Sequence, residues 1–292
     1  MMVLILEFIT HSFRLKAKTM QEQFSRSLIY GIDFSGSQEA CKKIWICESV
    51  PTNKGLQIQK CGNIKKKHGN ISLEKSLEML RNFIESKNDA VFGLDFPFGL
   101  PECLLRENTW ESFIRRFHEQ YKDPAQFYDV SHSVVEKEPK RLTDVDAKSP
   151  WSPIFIQLHK QTYYGINSVL YPLILNNSAN IHPMQSLEES KPWVIEICPA
   201  STLKCEHLDC SFKKKGKEAK VSENNRKLIL QGLVEKERIT NISPEIWDSV
   251  VNDREGDALD SIIAAVATYR AMRNNLDLPD NELYKLEGYI YV

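Results

Sequence analysis

Three short apolar runs, each carrying a single acid, constrain this chain most. They are Ser27–Phe34 (SLIYGIDF), Ala90–Phe96 (AVFGLDF) and Trp193–Cys198 (WVIEIC). Runs of this length, rich in β-branched and aromatic residues, read as buried strands. Two more strands, Lys43–Val50 and Gly55–Cys61, fall between the first and second runs, joined by the turn PTNKG. Their short connections predict an antiparallel meander, whereas the later strands alternate with helical patterns. The expected fold is therefore α/β: a mixed five-stranded sheet, three antiparallel strands then parallel ones, flanked by helices. Leu286–Val292 (LEGYIYV) reads as a closing edge strand.

The helical patterns are equally specific. Ser72 precedes Leu73, Leu77, Leu80, Phe83 and Ile84, a capped amphipathic helix. Trp110, Phe113, Ile114, Phe117 and Tyr121 share one helical face, and Ser152-Pro153 opens an aromatic-rich helical stretch. Residues 134–150 read as a polar loop, and about 100–190 as a helical insertion between two strands. Gly256–Met272 is a strong helix with a buried stripe of Leu259, Ile262, Ile263 and Val266. With 292 residues and no convincing linker, one elaborated domain over 27–292 is expected, with 1–26 an appendage outside it.

Charge and cysteine content exclude several classes. The net charge is −1, so any polyanion-binding surface must be a local patch. Seven cysteines, an odd number, point to reduced thiols in a cytoplasmic protein. The apolar start MVLILEFI is broken by Glu7 and is too short for a membrane span, so no membrane partner is expected.

The acids carry the functional reading. Asp33 ends the first strand, Asp95 ends the fourth and Glu196 sits inside the fifth, while Asp257 and Asp260 are i,i+3 neighbours in the first turn of the last long helix. A carboxylate in an apolar strand is costly unless paired or bound to a cation. The bland readings are an N-cap, a turn acid or a buried ion pair, and helix N-terminal charge explains Asp257 well. Oxygen-only ligands from separate elements suit Mg²⁺ or Mn²⁺, which activate water in phosphodiester hydrolysis.

The motifs GIDFSGS, GLDFPFGLP, EICPASTLK, GDALDSIIAA and EGYIYV together resemble the domain-of-unknown-function 429 family, a group of predicted nucleases with an RNase H-like fold. They span residues 28–292. The resemblance implies an acid cluster of Asp33, Asp95, Glu196, Asp257 and Asp260, with Asp33, Asp95, Glu196 and Asp260 as metal ligands. It implies Mg²⁺ or Mn²⁺ as cofactor and nucleic acid as substrate. Ser35, Arg141 and Lys204, with Arg106 and Arg226, are candidate phosphate contacts. The basic runs Lys65–His68 and Lys213–Lys220 read as solvated loops; where they border the acid cluster they could instead contact phosphates. The departures from the family pattern, the N-terminal appendage and the segment 213–220, leave the motif acids in place.

Three other readings compete. A non-catalytic nucleic-acid- or protein-binding module could keep the same fold. GIDFSGS also resembles the first phosphate loop of actin-like phosphotransferases, but the chain has no Gly-Gly pair for the second loop. Cys198, Cys205, His207 and Cys210 offer ligands for zinc, at a spacing unlike any zinc module.

Overall fold

Apolar strands alternating with helical segments fold here into one sheet with helices on both faces. The computed structural model describes residues 25–213 and 218–292. The expected appendage lies outside the described residues up to residue 24. Arg26, assigned to that appendage, instead belongs to the fold. It is buried, donates to the carbonyls of Asn88, Glu188 and Glu189 at 2.7–2.8 Å, and lies over the Trp193 ring.

The sheet has eight strands rather than five: β1 (Leu28–Asp33), β2 (Trp45–Thr52), β3 (Gly55–Asn63), β4 (Ala90–Leu94), β5 (Asn180–His182), β6 (Trp193–Ile197), β7 (Ile239–Asn241) and β8 (Ile290–Tyr291). Their order is β5-β6-β4-β1-β2-β3-β7, with β8 also paired to β6. β2 runs antiparallel to its neighbours and every other pairing is parallel. The strands missed in the sequence, β5 and β7, are three residues each, too short for a period of two to register. The closing strand shrinks to two residues because Leu283–Glu287 is helical.

Parity decides which side chains meet. Ile32 pairs with Leu94, and Leu94 with Glu196, so these three point to one face of the sheet. That face packs with Tyr30, Phe92, Phe98, Phe113, Phe117 and Ile166 in one apolar cluster, so the helical insertion is continuous with the sheet's core. Ile29, Val91, Ile195 and Ile197 point the other way, into a second cluster with the helix Asp257–Arg273. Gly31 and the small residues of that helix let the two backbones nearly touch. A Cβ at Gly31 would stand 2.1 Å from the Ala265 nitrogen. The close approach fixes where the first turn of this helix lies relative to the end of β1.

Two expected helix caps hold, while the helical stretch expected to open at Ser152-Pro153 begins only at His159. Ser72 accepts from the Lys75 amide at the start of Leu73–Glu85, and Ser243 from Ile246 at the start of Pro244–Asn252. Two expected loops are partly helical. Leu142–Asp146 forms a helix within 134–150, and Lys65–His68 belongs to the helix Ile64–His68, capped by Asn63. All seven cysteines are free, and none of the described helices is long and apolar enough to cross a membrane.

Candidate functional site

Four of the five expected acids gather at one end of the sheet. Asp33 is the last residue of β1, and Asp95 directly follows β4, its amide donating to the Ile32 carbonyl at 3.1 Å. Asp257 and Asp260 occupy the first turn of the Asp257–Arg273 helix, whose start is tied by the Asp253 carboxylate accepting from the Ala258 amide at 2.8 Å. Asp33 and Asp260 are almost fully buried. Burial and the neighbouring Asp260 push the Asp33 carboxyl well above the usual range, and burial and Asp260 do the same for Asp95. Asp260 is also raised, by burial, against the pull of Lys213.

The lysine-rich segment, a solvated loop on the simpler reading, borders the acids at its first residue: the Lys213 ammonium contacts the Asp260 carboxylate and lies 3.8 Å from Asp257. Burial works to lower its pKa, but Asp260, Asp33 and Asp257 outweigh burial and raise it, so Lys213 is held charged. About half of the side chain remains exposed (47%), which screens the pair. Residues 214–217 of the segment lie outside the described residues, and Lys220 is within the helix Ala219–Glu235.

Glu196 does not join the cluster as a free ligand. Its parity turns it to the opposite face from the Asp257–Arg273 helix, where Arg141 meets it. Arg141 Nη2 and Nη1 donate to the two Glu196 oxygens at 2.5 and 2.9 Å, and the Phe98 amide adds a third bond at 2.9 Å. Arg141 also grips Asp144 through Nε and Nη2 at 3.0 and 2.8 Å. It is fully buried, so it cannot contact a phosphate as expected. The ion-pair alternative weighed for a strand carboxylate holds for Glu196.

The other candidates separate. Arg226 is buried and donates to the carbonyls of Phe212 and Val251, so it positions the residue before Lys213 instead of meeting substrate. Ser35 hydrogen-bonds Ser37, and Arg106 is exposed. Lys204 lines a cleft of about 470 Å³ that also takes in Asp95, Glu196, Lys213 and Asp260. Among the described residues, no three His, Cys, Asp or Glu side chains stand close enough to hold one metal ion as placed. That applies to the expected ligand set Asp33, Asp95, Glu196 and Asp260, and to the four zinc candidates.

The raised carboxyl groups predict a pH-dependent mutant effect. Burial, with Asp253 and Asp260 opposing Lys213, lifts the Asp257 carboxyl to about 6. The folded state then holds a proton that the unfolded state has lost, so this group's stability is present below about pH 4 and lost as pH rises through about 6. Asp257→Asn should therefore be more stable than wild type at pH 8, by about 2 kcal/mol, with the gap roughly halved at pH 5 and largely gone at pH 4. Burial holds His182 down at about 4, which acts in the opposite sense but equally in both proteins. Urea melts of the pair at these pH values check it, and a gap that widens on acidification would contradict it.

No protein-family model, curated protein or solved structure matches this chain.

Proposed function

We propose that this chain is an RNase H-like, divalent-cation-dependent phosphodiesterase acting on nucleic acid. The observation that carries the reading is the gathering of Asp33, Asp95, Asp257 and Asp260 from two strand ends and one helix start, two of them buried, two half-buried, and mutually repelling. The run β3-β2-β1-β4-β6, with β2 alone antiparallel, supports it as the core of such a fold. Donor chemistry fits the cation: the groups are carboxylate oxygens, suited to Mg²⁺ or Mn²⁺. Asp33, Asp95 and Asp260 would hold it once Lys213 moves off Asp260 and the three carboxylates turn toward one point. Bound there, the ion would lower the pKa of a water and offset charge on the scissile phosphate. Lys213 and Lys204, at the same cleft, supply the positive groups that orient a phosphate. The test is Mg²⁺- and Mn²⁺-dependent cleavage of single-stranded, duplex, hybrid and branched substrates. Cleavage of at least one, abolished by EDTA, is expected; none with either ion would remove the catalytic claim.

A second reading, a non-catalytic binding module, is favoured by one observation. Arg141 and Lys213 already supply cations to Glu196 and Asp260. It predicts nucleic-acid or protein binding without cleavage in the same panel.

A further inference from the structure

Trp151 is the one exposed tryptophan among the described residues, with 42% of the residue in solvent, and it lines the cleft that holds Asp95, Asp260 and Lys213. Its ring lies parallel to that of Phe155, centroids 4.2 Å apart and planes within 1°. One face of the indole is thus occupied by Phe155, which leaves the other face as the candidate contact surface. The segment around it is tied down. Ser152 Oγ donates to the Pro139 carbonyl at 2.5 Å, the Phe155 amide to the Ser152 carbonyl at 3.0 Å, and Ser149 Oγ to the Trp151 carbonyl at 3.3 Å. An exposed aromatic ring held rigid by a partner and by its backbone is a pre-organised surface for another flat ring.

The charges around it suit a phosphodiester strand. Lys204 lines the same cleft, and its ammonium donates to the Lys148 carbonyl at 2.7 Å, three residues before Trp151. Lys148 itself is exposed, and Lys213 reaches the cleft from the acid side. The cleft therefore combines an exposed aromatic ring, two lysines and carboxylates in one lining. Bases within a duplex are already stacked on each other, so only an unpaired base can lie on a ring inside a concave site.

We infer that Trp151 is a base-stacking platform, and that the preferred ligand is a single-stranded nucleic acid with an unpaired nucleotide seated on the indole beside the acid cluster. The inference rests on the nucleic-acid reading above and narrows it to a substrate class. Stacking on an aromatic ring contributes enough for roughly a tenfold change in affinity per base.

The experiment compares two labelled strands with identical phosphates, oligothymidylate and its abasic counterpart, each about 15 nucleotides long. Binding is followed by fluorescence anisotropy with Ca²⁺ replacing Mg²⁺, and each strand is checked for intactness on a gel. Wild type should bind oligothymidylate about tenfold tighter than the abasic strand. Trp151→Ala should bind both strands with the wild type's abasic affinity, and Trp151→Phe should keep part of the preference. Equal affinity of wild type for the two strands would overturn the stacking role while leaving nucleic-acid binding intact. Undiminished preference in Trp151→Ala would place the stacking elsewhere and also overturn it. Binding of neither strand would overturn both this inference and the nucleic-acid reading beneath it.

Discussion

Arg141→Met should destabilise the protein by about 3–5 kcal/mol, the usual cost of stranding a buried charge. Arg141 is fully buried and donates to both oxygens of Glu196, to Asp144 and, at 3.1 Å, to the Glu287 carbonyl. Burial works to raise the Glu196 carboxyl and Arg141 opposes it, so without the guanidinium Glu196 must take up a proton or draw in water. Asp144 would lose the same partner in the same site. A lysine supplies charge but not the planar fork that serves two carboxylates at once, so Arg141→Lys should recover only part of the loss. The double variant Arg141→Met with Glu196→Gln should recover more than the two single effects would add to, because it removes a charge with its partner. Urea melts of the four proteins measure these values. Wild-type stability in Arg141→Met would mean that the pair does not hold this end of the sheet. Glu196→Gln is accordingly a structural change first, and lost activity in it would say little about metal ligation.

Asp33→Asn should behave in the opposite way. Burial and the neighbouring acids raise the Asp33 carboxyl, with Lys213 as the opposing charge, and Lys213 keeps its contact with Asp260 when Asp33 is neutral. Removing one repelling charge should raise the melting temperature without metal, at about 2–4 °C for each kcal/mol relieved. Cleavage should fall by more than about a hundredfold, beyond the usual cost of losing only a supporting partner of a metal ligand. Millimolar Mn²⁺ should stabilise wild type by mass action, and much less so the variant. Thermal melts with EDTA and with Mn²⁺, beside a cleavage assay, check both parts. An Asp33→Asn protein that melts below wild type without metal would reassign Asp33 to structural pairing.

These two acids show what the sequence makes legible and what it hides. Asp33 and Asp95 were readable because a short apolar run stops at each, and the run itself is the local signal. Asp257 and Asp260 were readable from i,i+3 spacing at the start of a strong helical pattern. Glu196 lies in an equally clear strand, but its role depends on the register of β6 against β4, which no local pattern encodes. Its partner Arg141 is 55 residues away, in a stretch that reads as a polar loop. The Arg141–Asp144 spacing was the one local hint of a short helix there, since the Asp144 carboxylate accepts from the Arg141 amide at 3.0 Å. Lys213 was hidden differently. A basic run reads as solvated, and only the packing of Phe212 and Arg226 brings its first lysine to Asp260. Trp151 followed the same rule, because exposure is a tertiary property that composition does not report.

Calorimetric titration of Mn²⁺ into metal-free wild type and Asp33→Asn tests most directly whether the gathered carboxylates are a cation site. Saturable binding to the wild type, sharply weakened in the variant, is the predicted result. No saturable binding to the wild type, or equal binding to both proteins, would contradict it.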